Sequence, residues 1–437
     1  SGKKSYPKVA EINCYYEIYN TESNTSLLGE DFDYGEDNVE ILINKEKIDF
    51  TKEYFFDAYG TYNIDFILHS ANKKINLNNM FKNVADLKMV NLHTEQNTKI
   101  ISMISTFEGC TQLDDLTISG FDTSELNSMK NIFSKTKISN LDLSHFDTSK
   151  IVDMSFMFAN IENPSIDLSH LDTKNAKNFS YMFYNSDIKG IDLSKFDTSK
   201  VEDMSSMFDS CNHINSLSLS NFDTSNVKSM SKMCKDCISL TNLDISSFKT
   251  NKVTDMSYMF SNCSYLDTIN IKNFDISEVR TASYMFSDCS QLDNLNLGTF
   301  DTKNFKDMSY MFKNCRKLVD FNFNNLNTAN VENMKGMFSK CIAMLKLDLS
   351  KIDTTNVKDM SYMFYDCTAL TSLDISGFKT QNVENMAGMF LDCNSLYNLN
   401  LKHFDTSNVK NMSYMFYDVS LLTSLDLSEF KTNKVLD

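Results

Sequence analysis

Residues 253–263 read VTDMSYMFSNC, residues 305–315 read FKDMSYMFKNC and residues 357–367 read VKDMSYMFYDC. One unit is being restated at a fixed interval. The Phe that closes each Met-Phe pair measures it: Phe81, Phe107, Phe133, Phe158, Phe183 and Phe208, then Cys234 as a substitute, then Phe260, Phe286, Phe312, Phe338, Phe364, Phe390 and Phe416. The steps are 26 residues except for three successive steps of 25, in units that also lack the Cys of their neighbours. A period in this range marks a solenoid or array, because no single unit can bury its apolar face alone.

Residues 208–233 show how one unit is built. Leu217-Ser218-Leu219-Ser220 alternates apolar and polar, the period of a half-buried strand. Asp223-Thr224-Ser225-Asn226 then supplies side-chain acceptors for a cap or turn, and Val227, Met230 and Met233 mark one buried helical face. The pattern predicts one short parallel strand and a short helix or helical turn per 25–26 residues. Ile64-Asp65-Phe66 lies 26 residues before Val90-Asn91-Leu92, so the array is expected to span 59–437 in about fourteen coils. Residues 1–58 do not repeat, and their alternating apolar runs predict a small β-rich N-terminal cap over the first coil. The last unit opens at Phe430 without completing itself, so the natural protein is expected to continue past Asp437.

Composition narrows the function. The chain of 437 residues is 42% apolar and carries a formal net charge of −16, which suits a packed core and disfavours a nucleic-acid partner. No apolar run reaches the roughly 18 residues of a membrane span, so no direct membrane insertion is expected in this segment. There is no G-x-S-x-G, no phosphate-cradling Gly loop and no H-E-x-x-H, and the 6 His are scattered. Catalysis needs a site made once, whereas nearly everything here is made many times. No enzyme activity, catalytic residue or cofactor is expected.

Residues 364–390, FYDCTALTSLDISGFKTQNVENMAGMF, carry the recurrent M-F-x-x-C-x-x-L and L-x-L-S-x-F-D-T-S-x-V-x-x-M-S-x-M-F patterns. This unit resembles the BspA-like leucine-rich-repeat surface protein family, in the 26-residue form found in bacterial surface lipoproteins and protist surface proteins. The resemblance covers roughly residues 60–437. It implies a leucine-rich-repeat right-handed coil, a cell-surface or secreted location, and adhesion to a protein partner on a host, matrix or neighbouring cell. A structural scaffold that self-associates is the alternative.

Three repeated columns are candidate sites. Cys211, Cys237, Cys263, Cys289, Cys315, Cys341, Cys367 and Cys393 share one phase and are expected to form an internal ladder of buried thiols. Cys234 with Cys237 is the one pair at C-x2-C spacing and has no second pair, so no metal site is expected. Asp142, Asp167, Asp192, Asp244, Asp348 and Asp374, with Asn at 270, 296, 322 and 400, sit mid-strand facing outward. They are either a solvated acidic face or carboxylates bridged by a divalent cation. Tyr258, Tyr284, Tyr310, Tyr362 and Tyr414 precede the Met-Phe pair and form a stripe, for partner binding or for packing. At the F-D-T-S corner, capping accounts for the Thr and Ser, and replacement of Asp by Lys249, Lys379 and Lys431 indicates an exposed position.

Overall fold

The computed structural model describes residues 6–94, 97–138, 140–162, 166–295, 302–319, 323 and 326–436. They fall into two compact units, Ser1–Asp203 and Met204–Asp437.

In the first unit a sheet of seven strands joins the cap to the first repeats. Its order is Asn140–Leu141, Asp115–Ser119, Leu87–His93, Lys8–Ile18, Gly60–His69, Val39–Ile43, Glu46–Ile48. Leu87–His93, Asp115–Ser119 and Asn140–Leu141 run parallel, as stacked coils must. Lys8–Ile18 runs antiparallel to Leu87–His93 on one side and to Gly60–His69 on the other, so that Ile12 pairs with both Leu92 and Phe66. The cap therefore closes the open strand edge with a long antiparallel strand. Gly60–His69 was expected to begin the array, but it is not stacked on Leu87–His93. Its alternation of buried Ile64, Phe66 and Leu68 satisfies an antiparallel strand as well as a parallel one, and the period alone cannot tell which neighbour it has.

In the second unit the strands are short and parallel, with partners one repeat apart. Leu217 pairs with Leu243, Ile269 with Leu295, and Leu347 with Leu373. A further ladder runs through Asp255, Thr281, Asp307, Asn333, Asp359, Asn385 and Asn411. The unit is a solenoid.

The expected helical half is absent from the described residues, and hydrogen-bonded turns take its place. The N–H groups of Met256, Tyr258, Phe260 and Asn262 donate to the carbonyls of Thr281, Ser283, Met285 and Ser287 on the next coil. Those between them, on Met259, Ser261 and Cys263, donate back three residues to Met256, Tyr258 and Phe260. A helix would direct all these bonds along itself. Tyr258 and Asn262, each at φ 58°, turn half of them toward the next coil. The spacing of Val253, Met256 and Met259 fits successive three-residue turns as well as it fits a helix, which is why the apolar pattern misreads the element.

The interior is a file of phenylalanines. Phe260, Phe286, Phe312, Phe338, Phe364, Phe390 and Phe416 stack with ring centroids 5.7–6.0 Å apart. In the first unit Phe81, Phe107, Phe133, Phe158 and Phe183 do the same at 5.7–6.3 Å.

A second file lies at the corner, where the expected roles divide between neighbours. Capping falls to Asp: Asp353 and Asp405 each accept the N–H two residues on, at 2.9 and 3.0 Å. Thr instead points inward and staples coils. The buried Thr380 hydroxyl donates to the Asp405 carbonyl at 3.0 Å and accepts the Asp405 N–H at 2.8 Å, and Thr354 makes the same pair with Lys379. Thr380→Val keeps the shape and strands both backbone groups of Asp405. The expected loss is about 1–3 kcal/mol in denaturant unfolding, and an unchanged midpoint would show that the staple contributes nothing.

Candidate functional site

The tyrosine column lies on the turn segment, in the left-handed region throughout. Tyr258, Tyr284, Tyr310, Tyr362 and Tyr414 have φ of 54–58°, a conformation that costs a non-Gly residue roughly 1–2 kcal/mol. Stacking offsets part of that cost. Tyr258 and Tyr284 lie 4.5 Å apart at 6°, and Tyr284 and Tyr310 4.7 Å apart at 27°. Burial, with the adjacent Tyr258 and Tyr310, pushes the Tyr284 phenol up to about 12. The run then stops at Gly336, over which the Tyr310 ring lies, and Tyr362 lies in the same way over Gly388. Tyr414 is 65% exposed and meets Tyr417 edge-on. The structure thus brings three of the five tyrosines together and leaves Tyr362 and Tyr414 apart from that run.

The acidic column faces outward, with Asp244, Asp348 and Asp374 at the ends of short strands and Asp142, Asp167 and Asp192 outside any strand, and each carboxylate is engaged locally. Oδ1 of Asp142, Asp167, Asp192, Asp244, Asp348 and Asp374 accepts the N–H of the Ser two residues on, at 2.8–3.1 Å. These serine bonds hold Asp142, Asp167, Asp192 and Asp244 below the usual carboxylate range. Among the described residues no group of three or more His, Cys, Asp or Glu could hold a metal ion. Asn296 and Asn322 of this column lie outside the described residues.

The cysteine column is buried, and no disulfide joins it. Its thiols do more than fill space. The S–H groups of Cys237, Cys289, Cys315, Cys341, Cys367 and Cys393 donate at 3.0–3.2 Å to the carbonyls of Phe208, Phe260, Phe286, Phe312, Phe338 and Phe364 on the preceding coil. Cys263 does the same to Cys234, which holds the Phe position there, and Cys211 is buried at the same phase. Burial pushes Cys289, Cys341 and Cys393 up to about 12, so these thiols are neutral and poor nucleophiles. Ser186, in a short unit without Cys, sends its hydroxyl to the Phe158 carbonyl at 2.6 Å. That substitution is the sequence signal for a hydrogen-bonding column, and apolar burial alone does not reveal it.

Charge ladders also escape a reading by single columns. Glu332 lies between Lys306 at 3.4 Å and Lys358 at 2.7 Å, and Glu384 pairs with Lys410 at 2.6 Å. At the corner, Asp353 faces Lys379 and Asp405 faces Lys431 at 3.8 and 3.9 Å. The Lys substitutions thus relieve repulsion between neighbouring corner carboxylates.

Stacked coils, parallel strand ladders and recurring side-chain columns define a repeat solenoid whose chemistry is spread along its faces. The chain belongs to the family described as "Mycoplasma protein of unknown function, DUF285", whose model matches residues 75–192, 186–295, 244–347, 282–396 and 340–437. No curated protein matches it. Among solved structures it is similar to a leucine-rich repeat protein from Eubacterium ventriosum at 14% identity, covering 79% of this chain and 94% of that one, with a TM-score of 0.44. An internalin from Listeria monocytogenes is 14% identical, covering 67% of this chain and 81% of the other, with a TM-score of 0.20. The functional domain of InlJ from Listeria monocytogenes, which includes a cysteine ladder, is 13% identical over 76% of this chain and 68% of that one, with a TM-score of 0.21. Among the described residues no helix is long and apolar enough to cross a membrane.

Two measurements check these columns. A Cβ at Gly336 would lie 2.2 Å from Cε1 of Tyr310, at a φ of 57°. Gly336→Ala should therefore lower thermal stability by at least the roughly 1 kcal/mol of the backbone conformation alone, whereas Gly190→Ala, with open space around it, should not. Equal melting temperatures for the two variants would contradict the packing described.

The second measurement concerns acid. A depressed folded-state value means that the unfolded chain binds protons first. The stability these aspartates supply is complete above their unfolded value of about 3.9 and is lost as pH falls through the lower folded value. Replacing Asp142, Asp167 and Asp192 together by Asn keeps an acceptor but removes the proton. Stability should then fall less steeply between about pH 4 and pH 2, and an unaltered slope would show that these carboxylates play no part.

Proposed function

We propose that this chain is a protein-binding module that works at the cell surface or in secreted form, attaching to proteins of a host, matrix or neighbouring cell along an extended solenoid face. One observation carries the reading: the inward columns of Phe, Cys and Thr hold nearly constant from coil to coil, whereas the outward columns change residue type. The interior is a fixed frame, and the exposed faces are where one coil is made different from the next. Such a surface binds by summing many modest contacts over several coils. The resemblance of residues 364–390 to BspA-like repeats is in keeping with adhesion. We assign the chain no catalytic step, since the thiols are sealed and the aspartates are occupied as turn caps.

The test is saturable binding of the labelled chain to intact cells and to surfaces coated with matrix protein. A variant carrying Tyr258→Ser, Tyr284→Ser and Tyr310→Ser, checked for folding by circular dichroism, is measured alongside. Saturable binding weakened several-fold in the variant is expected if the tyrosine face takes part. Binding that is retained in full moves the contact to another face, and no saturable binding to any surface tried would overturn the adhesion reading.

A further inference from the structure

The residue just before each strand is polar in the early coils of the second unit: Thr241, Asp267 and Asp293. On the next four coils the same column carries Val319, Leu345, Thr371 and Tyr397, and it is polar again at Thr423. Each of the three large side chains is about half exposed. Val319 is 46% exposed, Leu345 49% and Tyr397 58%, and Ile342, beside Leu345 on the same coil, is exposed as well. The column is continuous, for the Thr371 N–H and hydroxyl both bond to the Leu345 carbonyl at 3.0 Å. Isolated exposed apolar residues need no explanation, but three of them on four successive coils, with one Thr between, mark a candidate interaction site.

The chemistry beside this file says what fits it. Three residues further along the two middle coils stand the exposed Asp348 and Asp374, register partners on paired strands, with Asn400 at the same place on the Tyr397 coil. The aspartate Oδ1 atoms are held by Ser350 and Ser376, which fixes both carboxylates facing outward, with Lys346 between the stripe and the first of them. The chain as a whole carries −16. An apolar file bordered by fixed carboxylates on an acidic protein is complementary to aliphatic side chains bordered by Lys or Arg, and it repels an acidic partner. Three coil steps at roughly 4.8 Å give a file about 14 Å long, the length of four or five residues of extended chain.

We propose that the face running from Val319 to Tyr397 docks a basic amphipathic segment of a partner protein, with aliphatic side chains on the apolar file and cations on Asp348 and Asp374. This rests on the protein-binding reading above and names the partner chemistry for one face.

The probe is a 14-residue peptide of Leu and Lys with one apolar side, compared with its Leu and Glu counterpart, by titration calorimetry against the full chain. The Leu/Lys peptide should bind at least tenfold more tightly than the Leu/Glu peptide, and more weakly as salt is raised. Leu345→Ser combined with Tyr397→Ser leaves the net charge unchanged and removes two side chains that are about half exposed. It should weaken Leu/Lys binding at least tenfold while circular dichroism shows the chain still folded at the temperature of the titration. Equal binding by the variant would reduce the effect to general attraction toward an acidic protein, and equal binding of the two peptides would remove the role of the carboxylates. Either result overturns the proposal. If the Leu/Lys peptide fails to bind while saturable cell or matrix binding persists, this face is wrong and the adhesion reading stands. Loss of both takes the adhesion reading with it.

Discussion

Among the described residues, a coil with a neighbour after it satisfies half of its turn N–H groups on itself and the other half on that neighbour. Tyr258, Phe260 and Asn262 send theirs onward, while Met259, Ser261 and Cys263 send theirs back. That division requires left-handed residues at set places in each unit. One such place is the tyrosine column, and the other is the Asn or Asp before the cysteine phase, as at Asn262, Asp288 and Asn314. Asn and Asp tolerate this conformation with little strain, whereas Tyr does not. The aromatic stack is thus best understood as compensation for a backbone that the inter-coil bonds demand. Its breaks at Gly336 and Gly388 are the positions where the backbone conformation comes without strain.

The same constraint orders the polar interior. Backbone groups that face the next coil have no solvent to turn to, so side chains complete the set. Thr does this at the corner, Cys at the Phe carbonyls, and Ser186 where a unit is one residue short. Adjacent coils sit so close that like charges in one column would face each other. The chain answers by alternating sign, as in Lys306, Glu332 and Lys358, or by pairing an amide with a carboxylate, as when Asn314 donates to Asp288 at 2.8 Å. Where three aspartates follow in sequence, burial and the carboxylates of Asp366 and Asp418 hold Asp392 above its ordinary range.

Much of this was legible in the sequence, because period and phase survive translation into structure. The solenoid, the parallel strands and the inward direction of Phe and Cys all follow from columns that repeat. Three features did not, each for a definite reason. Helical spacing and three-residue turns put apolar side chains at the same intervals, so Met256 and Met259 could not distinguish them. A strand with period two does not declare its partner, so Ile64 and Phe66 read as a coil when they belong to the cap. Hydrogen bonds 25 to 29 residues apart leave no local trace, so Thr380 looked like a cap and Cys289 like an inert filler. Among the candidate residues, the aspartates lie exposed apart from the half-buried Asp244, whereas Tyr258, Tyr284, Tyr310 and Tyr362 are half-buried and only Tyr414 is exposed. Their local engagement, by ring stacking between coils and by serine, leaves no mark in the spacing of the residues.

The sulfur column has a chemical consequence. Each thiol is guarded by the carbonyl of the coil before it, so its shelter depends on that coil staying seated. An oxidant therefore reaches a sulfur only where the turn covering it has loosened. Ser186 makes the same kind of bond with an oxygen, so that coil keeps its link with no oxidisable atom.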